Sequence, residues 1–178
     1  MVLSRRFLCV AALGAVLALG LAGTALAADY RRWTGATDNK WNEAGNWDPS
    51  DSAPKDTDTA IIEGAAVKVD SDDAKAKVVS LGQGAKLSIE SEGKLTLAPG
   101  GALHASGDAV VEVKVDDGLE FTNATHIAVS ADKTLTLMGT KAVKGAGDLA
   151  LTDKGKLVLE APVTVVKKPV ITGGGTLV

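Results

Sequence analysis

The sequence predicts an all-β protein, a single-stranded parallel β-helix behind an N-terminal cap that contains tryptophan, and three observations point there. Short runs of alternating apolar and polar residues follow one another from Ala60 to Val178. Glycine or an Asp-containing turn separates the runs. Aromatic residues make up only 3% of the chain, and all three tryptophans fall between Trp33 and Trp47. A β-solenoid accounts for all of this, because narrow coils accept stacked aliphatic side chains more readily than rings, while the first coil must be covered. An antiparallel β-sandwich is the alternative that the same short strands allow.

Residues 1–28 read as a signal peptide. Arg5 and Arg6 form a short basic start, an apolar run extends from Phe7 to about Gly23, and Ala25-Leu26-Ala27 makes a small-residue exit. Ser4-Arg5-Arg6-Phe7-Leu8 also fits a twin-arginine signal, alongside the general secretory route. The expected address of the mature chain is therefore the periplasm, the cell surface or the extracellular medium, with no membrane span retained. Cys9 is the single cysteine and lies inside the leader, so the mature chain has no disulfide, no thiol nucleophile and no Cys-based metal site. Without Arg5 and Arg6, 17 basic residues face 22 acidic ones, a net charge of −5, and such a balance does not suit nucleic acid.

Residues 29–59 form the expected cap. The stretch WTGATDNKWNEAGNW, Trp33 to Trp47, brings large rings to the open apolar end of the first coil. Asn46, Pro49 and Pro54 set turns that do not continue a strand ladder, which protects an edge from pairing with another chain. The other use of the same rings is a carbohydrate platform, in which Trp33, Trp41 or Trp47 stacks on a pyranose; in that reading the three tryptophans are ligand-binding residues.

Residues 60–178 form the expected solenoid. Period-two alternation is clear in Ala65-Val69, Lys86-Glu90, Lys94-Ala98, Ala102-Ser106, Val110-Val115, Lys133-Met138 and Lys156-Glu160. Leu87, Leu95 and Leu103 step by eight residues, as do Leu149 and Leu157. Gly84, Gly93, Gly101, Gly107, Gly118, Gly147 and Gly155 punctuate the runs. Three strands per coil and roughly 20 to 24 residues per coil would give about five coils between Ala60 and Val178.

Few residues qualify as a chemical site. Asp51, Asp56 and Asp58, and separately Asp70, Asp72 and Asp73, offer oxygens to Ca2+, but neither run has the spacing of a calcium loop or calcium-binding repeat, so solvated turn carboxylates are expected. His104 and His126 are the only histidines, 22 residues apart and so about one coil, which allows them to stack on one face. Surface or ladder histidines are the expectation over a two-ligand metal pair. No nucleophile elbow with an ordered Ser-His-Asp set is present, and no carboxylate pair sits in a glycosidase-like context. No catalytic residue, no cofactor and no metal is therefore expected.

The segment Trp33-Thr34-Gly35, Trp41, Asn46-Trp47, Pro54, Asp58, Ala60 and Ile61 resembles the start of many secreted bacterial β-helix proteins, including those with autotransporter-associated β-strand repeats. The resemblance covers about thirty residues. It implies a right-handed β-helix that is exported, and a role that is adhesive or structural more often than catalytic. The chain departs from the autotransporter pattern in showing no C-terminal membrane barrel of alternating aromatic-flanked strands.

The resulting expectation is a non-enzymatic structural or adhesive surface protein, with a carbohydrate-binding module on the tryptophans as the other reading. Its expected partners are further copies of itself, joined through the solenoid ends into an oligomer or filament, and a cell-surface or matrix polysaccharide. The stretch ending GGGTLV stops in mid-strand with apolar residues, which is what raises end-to-end assembly.

Overall fold

The computed structural model describes residues 29–121, 126–139, 143–145, 148–151, 154–160, 163–164, 171–172 and 174–178; the leader assigned to 1–28 lies outside them. The first four strands are β1 (Tyr30–Trp33), β2 (Trp47–Asp48), β3 (Thr59–Ile62) and β4 (Ala66–Val69). Next come β5 (Ala74–Leu81), β6 (Lys86–Ile89), β7 (Leu95–Ala105), β8 (Ala109–Val113), β9 (Leu119–Phe121) and β10 (His126–Val129). The remainder are β11 (Thr134–Gly139), β12 (Val143–Gly145), β13 (Asp148–Leu151), β14 (Lys156–Glu160), β15 (Val163–Thr164), β16 (Ile171–Thr172) and β17 (Thr176–Leu177). A single 3-10 turn, Ala44–Asn46, is the one helical element among the described residues.

The strands stack as a parallel β-solenoid. One ladder runs β4-β6-β8-β11-β14-β17. A second passes through the first halves of β5 and β7 to β9, β12 and β15. The third links β1, β3, the second halves of β5 and β7, β10, β13 and β16. Every ladder is parallel except the β1–β2 pair, which is antiparallel. An antiparallel sandwich is thereby excluded. Coil length varies with the turns: Ala66 pairs with Lys86, 20 residues on, whereas Val110 pairs with Thr136, 26 residues on.

Parallel register places like over like, as the alternation requires. Val67, Leu87, Val111 and Leu137 form one buried column on the first ladder. Leu95 stands over Leu119 on the second, and Val79, Leu103 and Ile127 align on the third. Each buried leucine or isoleucine contributes about 1.5–3 kcal/mol through removal from water. The outward positions carry charge, and several ion pairs cross from coil to coil: Lys94–Glu120 at 2.6 Å, Lys86–Glu112 at 3.0 Å and Lys114–Glu90 at 3.0 Å. These are solvent-accessible pairs worth at most about 1 kcal/mol each, so they favour the register without carrying the fold.

Two features differ from the sequence expectation. β5, with sequence AKAKVVSL, was not anticipated, because its inward residues at the start are only Ala74 and Ala76 and the alternation is correspondingly faint. The two runs Lys94-Ala98 and Ala102-Ser106 are joined in one strand, β7, that turns the corner between two faces. The register against β5 shifts between Ala76 and Val78 at that corner. Gly101 sits there under the neighbouring coil, where an added Cβ would lie 1.9 Å from the Lys77 carbonyl oxygen.

Gly101→Ala is expected to cost about 2–3 kcal/mol as an overpacking change with no flexible side chain to yield. Gly64→Ala, at φ +60° with only an ordinary 3.9 Å contact to the Gln83 carbonyl oxygen, is expected to cost about 1 kcal/mol from backbone strain. Urea unfolding midpoints followed by far-UV circular dichroism would rank the two.

Candidate functional site

The N-terminal end is built around three indoles and one buried cation. Trp41 and Trp47 are completely or almost completely buried, at 0% and 1% exposure. Trp47 packs edge-on against both Trp33 and Trp41, with ring centroids 5.0 Å apart in each pair. The Trp47 indole N–H donates to the Trp41 carbonyl at 2.7 Å, so the polar handle of the buried ring is satisfied. Trp33, opposite Trp47 in the β1–β2 pair, keeps part of its surface in solvent and packs against the core.

The loop between Trp33 and Trp47 is organised by Asn46, which is fully buried. Its Oδ1 accepts the backbone N–H groups of Thr37 and Asp38, each at 2.9 Å, and its Nδ2 donates to Asp38 Oδ1 and the Lys40 carbonyl. The Asn46 carbonyl also accepts from Thr34 N at 2.7 Å. One side chain thus pairs four groups of a loop that has no ladder of its own, which is what a buried amide needs in order not to be a penalty. Trp41 N donates to the Lys68 carbonyl and Lys68 N to the Asn39 carbonyl, tying the loop to β4.

Arg31 was not anticipated as a structural residue. It occupies the inward position of β1, paired with Ala60 of β3, where every later coil places an aliphatic residue. Its side chain is 3% exposed and is held by Asp51 through Nη1, by the Pro49 carbonyl at 2.9 Å, and by Asp58 at 3.6 Å from Nε. Nothing in the sequence marks Arg31 as inward except the alternation of a four-residue strand.

The acidic runs are resolved by this geometry. Asp58 is 2% exposed and accepts from Lys55 N at 2.9 Å and from Thr57 Oγ1 at 3.1 Å, so the expectation of a solvated turn carboxylate is corrected there; it closes its own turn and faces Arg31. Asp51 is exposed and bonds Arg31, which pulls its carboxyl below the usual aspartate range. Asp56 and Asp72 lie on the surface. Asp70 pairs with Lys40 at 3.0 Å, and Asp73 accepts from Asn42 and Ser71.

The two histidines lie on the outer side of the third ladder, on adjacent coils. His126 is opposite Ala102, and His104 is opposite Ala128, so the pair is diagonal instead of stacked. The reason is local coil length: the step here is 24 residues, two more than the separation of the histidines. His104 Nε2 lies 3.0 Å from Ser130 Oγ. Burial, and secondly the charge of His126, hold the His104 imidazole below its ordinary pKa.

Comparisons with protein-family models, with curated proteins and with solved structures returned no match for this chain.

Trp47→Ala is expected to lose about 3–5 kcal/mol, the range for a fully buried aromatic, whereas Trp33→Ala should lose clearly less because its ring is partly in solvent. Chemical denaturation monitored by far-UV circular dichroism checks the ranking. The Arg31–Asp51 pair predicts a pH effect. Because Asp51 is a stronger acid folded than unfolded, the stability it contributes is present above the ordinary aspartate range and is lost as pH falls through the folded value. Asp51→Asn should therefore lower stability at neutral pH and make the acid limb of a stability-against-pH curve shallower.

Proposed function

We propose that this chain is exported and acts outside the cytoplasm as a non-enzymatic structural or adhesive solenoid. The observation that carries the reading is the division of labour along the molecule. Trp41 and Trp47 are buried at the N-terminal end with Trp33 packed against them, and the coils that follow repeat an aliphatic interior beneath an outer surface of alternating charge. A surface repeated at the coil spacing suits contact with something that is itself repetitive, either a polysaccharide or further copies of the protein. The leader-like residues 1–28 support export, and the Trp33 to Ile61 pattern supports kinship with secreted bacterial β-helix proteins.

Association through the solenoid ends is the assembly mode that goes with this reading. Leu177 and Val178, on and just after a strand that pairs with β14, are 42% and 61% exposed. A second reading, a carbohydrate-binding module, now rests on Trp33, since a stacking platform needs a ring face in solvent and Trp41 and Trp47 have none to offer.

Negative-stain electron microscopy and light scattering of the purified protein test the proposal. Filaments or regular oligomers of constant width are the expected result. A monodisperse monomer that binds a glycan array, with binding abolished in Trp33→Ala, would replace it with the module.

A further inference from the structure

On the outer side of the third ladder, Asp148 of β13 stands in register with His126, and Arg32 of β1 lies several coils away. Ser80, Ala102 and Ala128 surround the two histidines at register positions, and the coil-crossing Lys–Glu pairs all involve other strands or other faces. Adjacent strands of a ladder are about 4.8 Å apart and residues two along a strand about 6.6 Å, so diagonal neighbours are about 8 Å apart at Cα, and two imidazoles projecting from the same side can reach one ion between them.

His104 is prepared for that role by a tether. Its Nε2 is tethered to Ser130 Oγ at 3.0 Å, and in the tautomer where Nε2–H donates to the hydroxyl, the lone pair is left on Nδ1. A metal-binding histidine is commonly fixed in this manner, with the second ring nitrogen donating to an oxygen that sets tautomer and orientation.

We propose that His104 and His126 form a surface site for a borderline divalent transition-metal ion of the Zn2+, Ni2+ or Cu2+ class, with Ser130 as the residue that positions His104. Among the described residues, no group of three or more His, Cys, Asp or Glu side chains gathers for a metal; the two imidazoles are the ligands proposed, with water in the remaining positions. The neutral imidazole donors select this class over Ca2+ or Mg2+, which take oxygen ligands. The proposal is independent of the role assigned to the tryptophan end.

Isothermal titration of ZnCl2 into the purified chain, in a buffer that does not chelate, is expected to show one ion per chain. His104→Gln and His126→Gln should each weaken binding about tenfold or more, and Ser130→Ala should weaken it by about tenfold through loss of the tether. Far-UV circular dichroism of each variant confirms that the ladder is intact, since all three side chains lie on the outer side. In a parallel arm, CuCl2 binding read by electron paramagnetic resonance should show nitrogen hyperfine structure from two imidazoles in the parent protein and from one in each histidine variant. Absence of saturable Zn2+ binding, or binding equally strong in both histidine variants, overturns the site.

Discussion

Inner coils of this molecule satisfy their backbone hydrogen bonds in the coils on either side, and among the described residues no full coil lies on the N-terminal side of the first. That asymmetry governs the rest of the N-terminal architecture. β3 would present an open parallel edge above an aliphatic interior, a template for any passing strand. β1 supplies the missing backbone partners, β2 then folds back antiparallel to end the ladder, and the tryptophans fill the space that another coil's leucines would occupy. Reversal of strand direction is thus the stop signal, and it comes with residues that cannot be stacked upon.

Arg31 shows how far the inward column continues before its chemistry changes. A cation at the inward position of the terminal strand costs desolvation that an aliphatic residue would not, and carboxylates on both sides offset that cost. The arrangement makes the terminal layer unlike those behind it: a further coil laid on β1 would have to bury Arg31 away from Asp51. The first strand is thereby distinguished chemically from the repeating ones, which favours a single register for the whole stack.

Much of this is legible in the sequence, and the reasons are local. KLSIE, KLTLA and KLVLE state their inward residues directly, because a strand with one buried face alternates with period two. The concentration of tryptophan in one stretch reflects its place outside the repeating coils. What could not be read was anything set by coil length or by weak alternation. β5 hides behind two alanines, the kink joining the halves of β7 depends on a glycine like many others in the chain, and the diagonal offset of His104 and His126 follows from a 24-residue step at one corner. Asp58 and Arg31 were each ambiguous alone; only the ladder register brings them together. Sequence periodicity thus reports which face a residue takes, while turn geometry decides which residue it meets.

The confinement of Trp33, Trp41, Trp47 and the single tyrosine, Tyr30, to one end gives the molecule an optical polarity. Fluorescence and near-ultraviolet dichroism report on the terminal layer, while the backbone dichroism comes mostly from the strands beyond it. In a stack whose layers touch only their neighbours, loss of order can begin at one extremity and travel. The two signals therefore behave as clocks at different points on the same axis: a gap between them gives the direction in which the coils come apart, and coincidence means that the stack dissolves as one.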